Sequence, residues 1–216
     1  MDNSNLLQQI ARKNSDKTKI ADRIISNTRL LPELFTGLQA ERQQIKYGTI
    51  KVLTIISENN PSVLYPKLDF FAAQLNNENN ILRWGAITII ANLCRVDSAH
   101  HFENIFSKYF SSLHSHKMIS AANTIKASAV IAKAKHNLSD KIADEILSVE
   151  KEDYETSECN NIVIGQAIKT FDKLFPQLKS KKPVFEFVHR QLDNSRAATK
   201  KKAEIFIKKN YKLLEH

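Results

Sequence analysis

Of 216 residues, 42% are hydrophobic and 25% charged, while only four are glycine and five proline. Glycine and proline together average about 12% of a typical chain. So few of them argue against the tight turns of a β-sandwich, the phosphate-cradling loops of a nucleotide fold and a collagen repeat. Lys and Arg outnumber Asp and Glu by 32 to 23, and the net charge of +9 suits an acidic partner.

Apolar residues recur with a period near 3.6 in blocks one helix long, joined by connections of two to six residues. In chain order these blocks predict about twelve helices, beginning near residues 3, 16, 29, 41, 61, 79, 98, 117, 138, 158, 182 and 196. Side-chain acceptors at Asn60-Pro61, Ser98, Ser139-Asp140 and Asn194-Ser195 mark several of the starts. The 18 asparagines, paired at Asn59-Asn60, Asn76-Asn77, Asn79-Asn80 and Asn160-Asn161, are expected to take the left-handed positions that glycine would otherwise fill. Three of the four glycines, Gly48, Gly85 and Gly165, fall inside helices, where a missing side chain admits a neighbouring helix. No segment alternates as a strand, and no low-complexity linker divides the chain. The expected organisation is one all-α domain over 1–216, with an N-terminal helix pair at 1–28, central repeats at 29–178 and a basic terminal repeat at 179–216.

Cys94 and Cys159 are isolated thiols with no CxxC, which suits a reducing interior. The first residues lack the basic-then-apolar order of a signal peptide. The apolar run at 86–94 stops well short of the roughly 20 residues a membrane span needs. The expectation is a cytoplasmic protein with no membrane partner.

Internal similarity is the most informative feature. Asn77, Asn79, Leu82, Arg83, Ala86, Ile90 and Leu93 form an ordered string that follows Leu75, with Pro66 in the helix before it. Ile45, Lys46, Thr49, Leu53 and Ile56 repeat the frame 37 residues earlier, and Thr199, Lys200, Ala203 and Ile207 repeat it 117 residues later. Val163, Ile164, Ala167, Phe171 and Leu174 fit between them without the basic residue. Between residues 98 and 136 the frame aligns at Ile125, Lys126 and Ala129 only if about six extra residues are allowed. This pattern resembles that of HEAT and armadillo repeats, with asparagines standing for the two turn aspartates. The resemblance covers most of the chain and implies a right-handed α-solenoid of about five helix pairs behind the N-terminal pair. It also implies that Arg83 ties down turn groups of a neighbouring repeat, and that the second helices line a concave face. Arrays of this kind resemble one another in serving as binding scaffolds.

On a helical projection Trp84 lies at the edge of the apolar stripe near Thr88, Asn92 and Arg95 on the polar face, and Tyr47 holds the equivalent place one repeat earlier. Tyr47, Trp84 and Arg95 are therefore candidate contacts for a bound chain or base; boundary aromatics also seal seams between repeats. From Lys179 to Lys212 there are eleven basic residues against three acidic, a net of +8, while the remaining 182 residues carry a net of +1. On the last helix Lys201, Lys202, Lys208, Lys209 and Lys212 share about 120° of arc, with Lys200 beside them. Such a stripe can follow a phosphate backbone, and it can equally serve as the polar outer face of a terminal repeat. His100, His101, His114 and His116 share no face with thiols or carboxylates at ligand spacing, so no metal is expected. No P-loop, GxSxG or kinase signature occurs.

Two expectations follow. The first is a non-catalytic scaffold holding a protein or peptide partner on its concave face, with no cofactor. The second is a nucleic-acid-binding protein using the C-terminal lysines. A class of DNA glycosylases acting on alkylated purines is also built from HEAT-like pairs, and the resemblance extends that second reading to Trp84. Those enzymes use several tryptophans with an aspartate and an arginine, whereas this chain has one tryptophan.

Overall fold

The structure is a computed structural model that describes residues 6–211. Twelve α-helices, several linked or ended by single 3-10 turns, account for the secondary structure among the described residues, and no strand occurs there. Ten of the predicted starts lie within three residues of a helix start. Near residue 61 two 3-10 turns, Pro61–Val63 and Tyr65–Lys67, precede the helix that begins at Leu68, and Asn60 makes no side-chain cap bond. The start near residue 3 and Lys212 lie outside the described residues. The chain forms two compact units, Met1–His101 and Phe102–His216.

The first unit contains α1 (Leu6–Ala11), α2 (Lys17–Ser26), α3 (Leu31–Leu38), α4 (Gln43–Asn59), α5 (Leu68–Gln74) and α6 (Asn80–Leu93). Helix α4 is its hub and packs against α1, α2, α3 and α6, while α5 packs on α6. Val52, Leu53 and Ile56 of α4 are fully buried, as are Ile24, Leu34, Phe71, Ile87 and Leu93 of the other helices. Gly48 lets α1 approach α4: a Cβ there would lie 2.8 Å from the backbone oxygen of Ile10. Asp16 and Asn79 cap α2 and α6, each accepting two backbone N–H bonds in the first turn.

The second unit contains α7 (His101–Phe110), α8 (Met118–Ala134), α9 (Ser139–Leu147), α10 (Ser157–Leu174), α11 (Lys182–Arg190) and α12 (Ala197–Asn210). The longer helices stack side by side in the order α8, α10, α12; α9 packs on α8 and α10, and α11 packs on α9 and α12. The core is aromatic. Phe106 stacks on Phe110 with centroids 4.6 Å apart, Phe171 meets Phe187 at 5.5 Å and Phe175 meets Phe206 at 5.0 Å.

Within each unit, one helix pair is bonded to the next by side chains about one pair-length apart. In the first unit, buried Asn92 donates to Ser57 Oγ at 2.9 Å. In the second, Thr170 Oγ1 donates to the Ile125 carbonyl at 3.1 Å and Thr199 Oγ1 to that of Asn161 at 2.8 Å. Arg190 grips Glu150 through Nε at 3.0 Å and Nη2 at 2.6 Å. Such bonds hold neighbouring pairs in one register, because a slip would orphan buried donors and acceptors.

Four expectations need correction. No described asparagine takes a positive φ; His100 (φ 59) and His116 (φ 55) do. The asparagines instead shape helix entries, where Asn77 Oδ1 accepts from Asn79 N and Asn194 Oδ1 accepts from Arg196 N. Helix α7 is started by Asp97, whose carboxylate accepts from His101 N at 2.9 Å, and not by Ser98. Ser139 is buried, and Asp140 is turned away from its own helix to accept from Lys179 N and Ser180 N, each at 3.0 Å. Finally, no extra residues are needed between 98 and 136. Helix α8 starts 38 residues after α6, and Ser120, Thr124, Ser128 and Ile131 are buried at the spacing of Leu82, Ala86, Ile90 and Leu93.

Candidate functional site

The first-unit candidates are tied into their own fold. Tyr47 on α4 is half-buried, and its hydroxyl accepts from Asn79 Nδ2 at 3.5 Å in the turn before α6. Trp84 on α6 is also half-buried, and its carbonyl accepts from Thr88 Oγ1 at 3.2 Å. Arg95 is exposed but donates to the Glu58 carbonyl at 2.8 Å, satisfying one of the free carbonyls that end α4. Asn92, expected on the polar face beside them, is buried in the seam between α4 and α6. Arg83 is bonded to its own turn, through the Asn77 carbonyl at 3.2 Å and the Asn80 side chain, rather than to a neighbouring repeat.

The second unit presents a different surface. On α8 the buried residues lie on one side, and a step of 100° per residue puts Ile119, Lys126 and Lys133, seven apart, on the opposite side. The same construction puts Ile162, Lys169 and Lys173 opposite the buried stripe of α10, and Lys201, Ile205 and Lys208 opposite that of α12. Because α9 and α11 cover the other side of these helices, the three rows face one way. Ile119 and Ile205 are 48% and 57% exposed.

The lysine stripe of α12 divides. Lys209 is neutralised by Asp172 of α10, its Nζ lying 2.9 Å from each carboxylate oxygen. Lys202 lies in the seam between α10 and α12 over Gly165, where a Cβ would come within 3.0 Å of its Nζ. Burial pushes the Lys202 ammonium below its ordinary value, and the nearby cations Arg196 and Lys169 push it further the same way. Arg196 itself is bonded to Glu158 at 2.7 Å. Lys200, Lys201 and Lys208 are exposed. Lys126, Lys133, Lys169, Lys173, Lys201, Lys202 and Lys208 take part in no ion pair among the described residues. Lys126, Lys133, Lys169 and Lys173 lie in a stretch whose summed charge is near neutral, so regional charge does not reveal them. Their seven-residue spacing behind Ile119 and Ile162 is the signal that finds them.

The chain matches no family model, no curated protein and no solved structure.

The histidines serve the connections. His114 Nδ1 lies 2.7 Å from Glu152 Oε1 and His116 Nδ1 lies 2.6 Å from the Asp153 carbonyl, so the segment before α8 is locked to the one before α10. Tyr154 adds a buried hydroxyl bond to the Leu113 carbonyl at 2.8 Å. Glu155 accepts from Met118 N at 2.9 Å and holds the first turn of α8; that bond and its own backbone N–H keep its carboxyl below the usual range. Among the described residues no group of His, Cys, Asp and Glu could hold a metal ion, and no helix is long and apolar enough to cross a membrane. Both cysteines are free thiols.

Proposed function

We propose that the protein is a non-catalytic binding scaffold, a right-handed α-solenoid of HEAT-like helix pairs, which holds a protein or peptide partner against the faces of its second helices. What carries the reading is the row of lysines on α8, α10 and α12, none of them in an ion pair among the described residues, on three helices held in register by buried bonds. A charged surface on a rigid layer suits recognition because its cations are placed before a partner arrives, which lowers the entropy cost of binding. Cross-linking of the full chain in cell extract, followed by mass spectrometry, tests it. The expected result is one or a few recurrent protein partners, joined through Lys126, Lys169 or Lys202 and insensitive to nuclease. Recovery of nucleic acid alone contradicts it.

The exposed Lys200, Lys201 and Lys208 favour nucleic acid as the second reading. If about five lysines engaged phosphates, log affinity would fall against log salt with a slope of about −4 to −5. Binding of oligonucleotide that is flat in salt removes that reading.

A further inference from the structure

The lysines of the second unit do not stand alone on their face. Ile119, Ile162 and Ile205 recur at intervals of 43 residues, one on each of α8, α10 and α12, and each belongs to a row that also carries exposed lysines. A single exposed isoleucine is ordinary. One on each of three packed helices, at one interval and among exposed lysines, with Ile119 and Ile205 at 48% and 57% exposure, makes an apolar strip of the kind that is covered on binding. Phosphate recognition calls for other company. Bases that accompany a bound backbone stack on aromatic rings or guanidinium planes. The rows named here offer neither, and the guanidinium at the seam, Arg196, is engaged by Glu158.

From this we infer that the partner docks through an acidic, amphipathic segment laid across α8, α10 and α12, its carboxylates on Lys126, Lys169 and Lys202 and its apolar side chains on Ile119, Ile162 and Ile205. The inference rests on the scaffold reading above and names the chemistry of its ligand. Packed helices lie about 8–10 Å apart, and a peptide in the polyproline-II conformation, with three residues per turn, returns to the same face after about 9 Å. Carboxylates at every third position therefore meet one helix after another. Lys202 gains most, because a carboxylate placed over Gly165 neutralises a cation that is partly desolvated and crowded by Lys169 and Arg196. Two acids of α10 are already engaged and do not compete for the face: Asp172 holds Lys209 and Glu158 holds Arg196.

Three probes test this on the full chain: a peptide of four Glu-Leu-Ser triplets, a peptide of four Glu-Ser-Ser triplets with the same charge, and oligo-dT of matching charge. The expected result is that Glu-Leu-Ser binds at least about tenfold more tightly than either of the others. Ile119→Ser with Ile205→Ser should erase its advantage over Glu-Ser-Ser. Lys169→Gln with Lys202→Gln should weaken both peptides by about tenfold, with unchanged circular dichroism to establish that the variants fold. Equal binding of the two peptides, tighter binding of oligo-dT, or no binding by any probe overturns the inference. The scaffold reading fails separately. If partner cross-linking persists when these four substitutions are combined in one chain, the scaffold stands and the acidic-segment inference falls; if no protein partner is ever recovered and oligo-dT binds, both fall.

Discussion

At the scale of single residues, the account turns on positions where an identity is forced by its neighbours. Gly48 is one, since the atoms against it include a backbone carbonyl of α1 that cannot rotate away. Gly48→Ala should destabilise the chain by about 1–3 kcal/mol, read from urea midpoints. Lys202 is the opposite kind of position, kept at a cost to the free protein. Its folded pKa is below 10.5, so the unfolded chain binds this proton more tightly and stability rises as pH climbs through the window between the two values. Lys202→Met should flatten that rise and raise the thermal midpoint at pH 7 and low salt, while weakening acidic peptides. A midpoint that falls would show that the lysine is structural. Glu155 titrates in the other sense. Its folded pKa is below 4.5, so its contribution is complete above that value and is lost as pH falls through the folded one. Glu155→Gln should therefore lower stability at pH 7, and the difference from the parent should shrink as pH falls below 4.5 through the folded value.

At the scale of helices and their seams, most of the architecture was legible in the sequence. Apolar spacing of 3.6 and the breaks between blocks are local properties, and they place ten helix starts to within three residues, while the start near 61 falls on the 3-10 turns ahead of α5. Two features were not legible, for one physical reason. Ser120, Thr124 and Ser128 are buried along α8, and Asn92 is buried on α6; Asn92 reaches Ser57 across the seam, Thr124 pairs with Ser112 of the preceding turn and Ser128 bonds back to the Thr124 carbonyl. A buried polar residue reads in sequence as a surface residue, and so the third repeat was shifted and Asn92 was placed on the wrong face. The pairing of Arg83 is local, to the Asn77 carbonyl and the Asn80 side chain of its own turn, and differs from the inter-repeat pairing that the HEAT-like resemblance implies. The seam between α8 and α10 gives a direct check. Thr170→Val removes the bond to the Ile125 carbonyl without changing the side-chain shape, and should cost about 1–2 kcal/mol with hydrogen exchange speeding up first in these two helices.

At the scale of the whole molecule, charge is the property that the structure redistributes. The sequence assigns +8 to residues 179–212 and near neutrality to the rest. In the folded chain several carboxylates of the second unit are already engaged: Glu150 by Arg190, Glu158 by Arg196, Asp172 by Lys209 and Asp140 by the N–H groups of Lys179 and Ser180. Their engagement leaves lysines from three helices without carboxylate partners on one face, so the basic region extends back to Lys126. The candidate site was thus half legible. Lys201, Lys202 and Lys208 were read from the α12 stripe, whereas Lys126, Lys133, Lys169 and Lys173 lay in a stretch whose sum is neutral. The central claim is that this one face, and not the basic terminus in general, is the binding surface. Lysine acetylation of the full chain, quantified residue by residue with and without saturating Glu-Leu-Ser peptide, tests it most directly. The account predicts protection of Lys126, Lys169 and Lys202 while Lys179 and Lys200 react as before; protection spread evenly over all exposed lysines, or confined to the terminal helix, would contradict it.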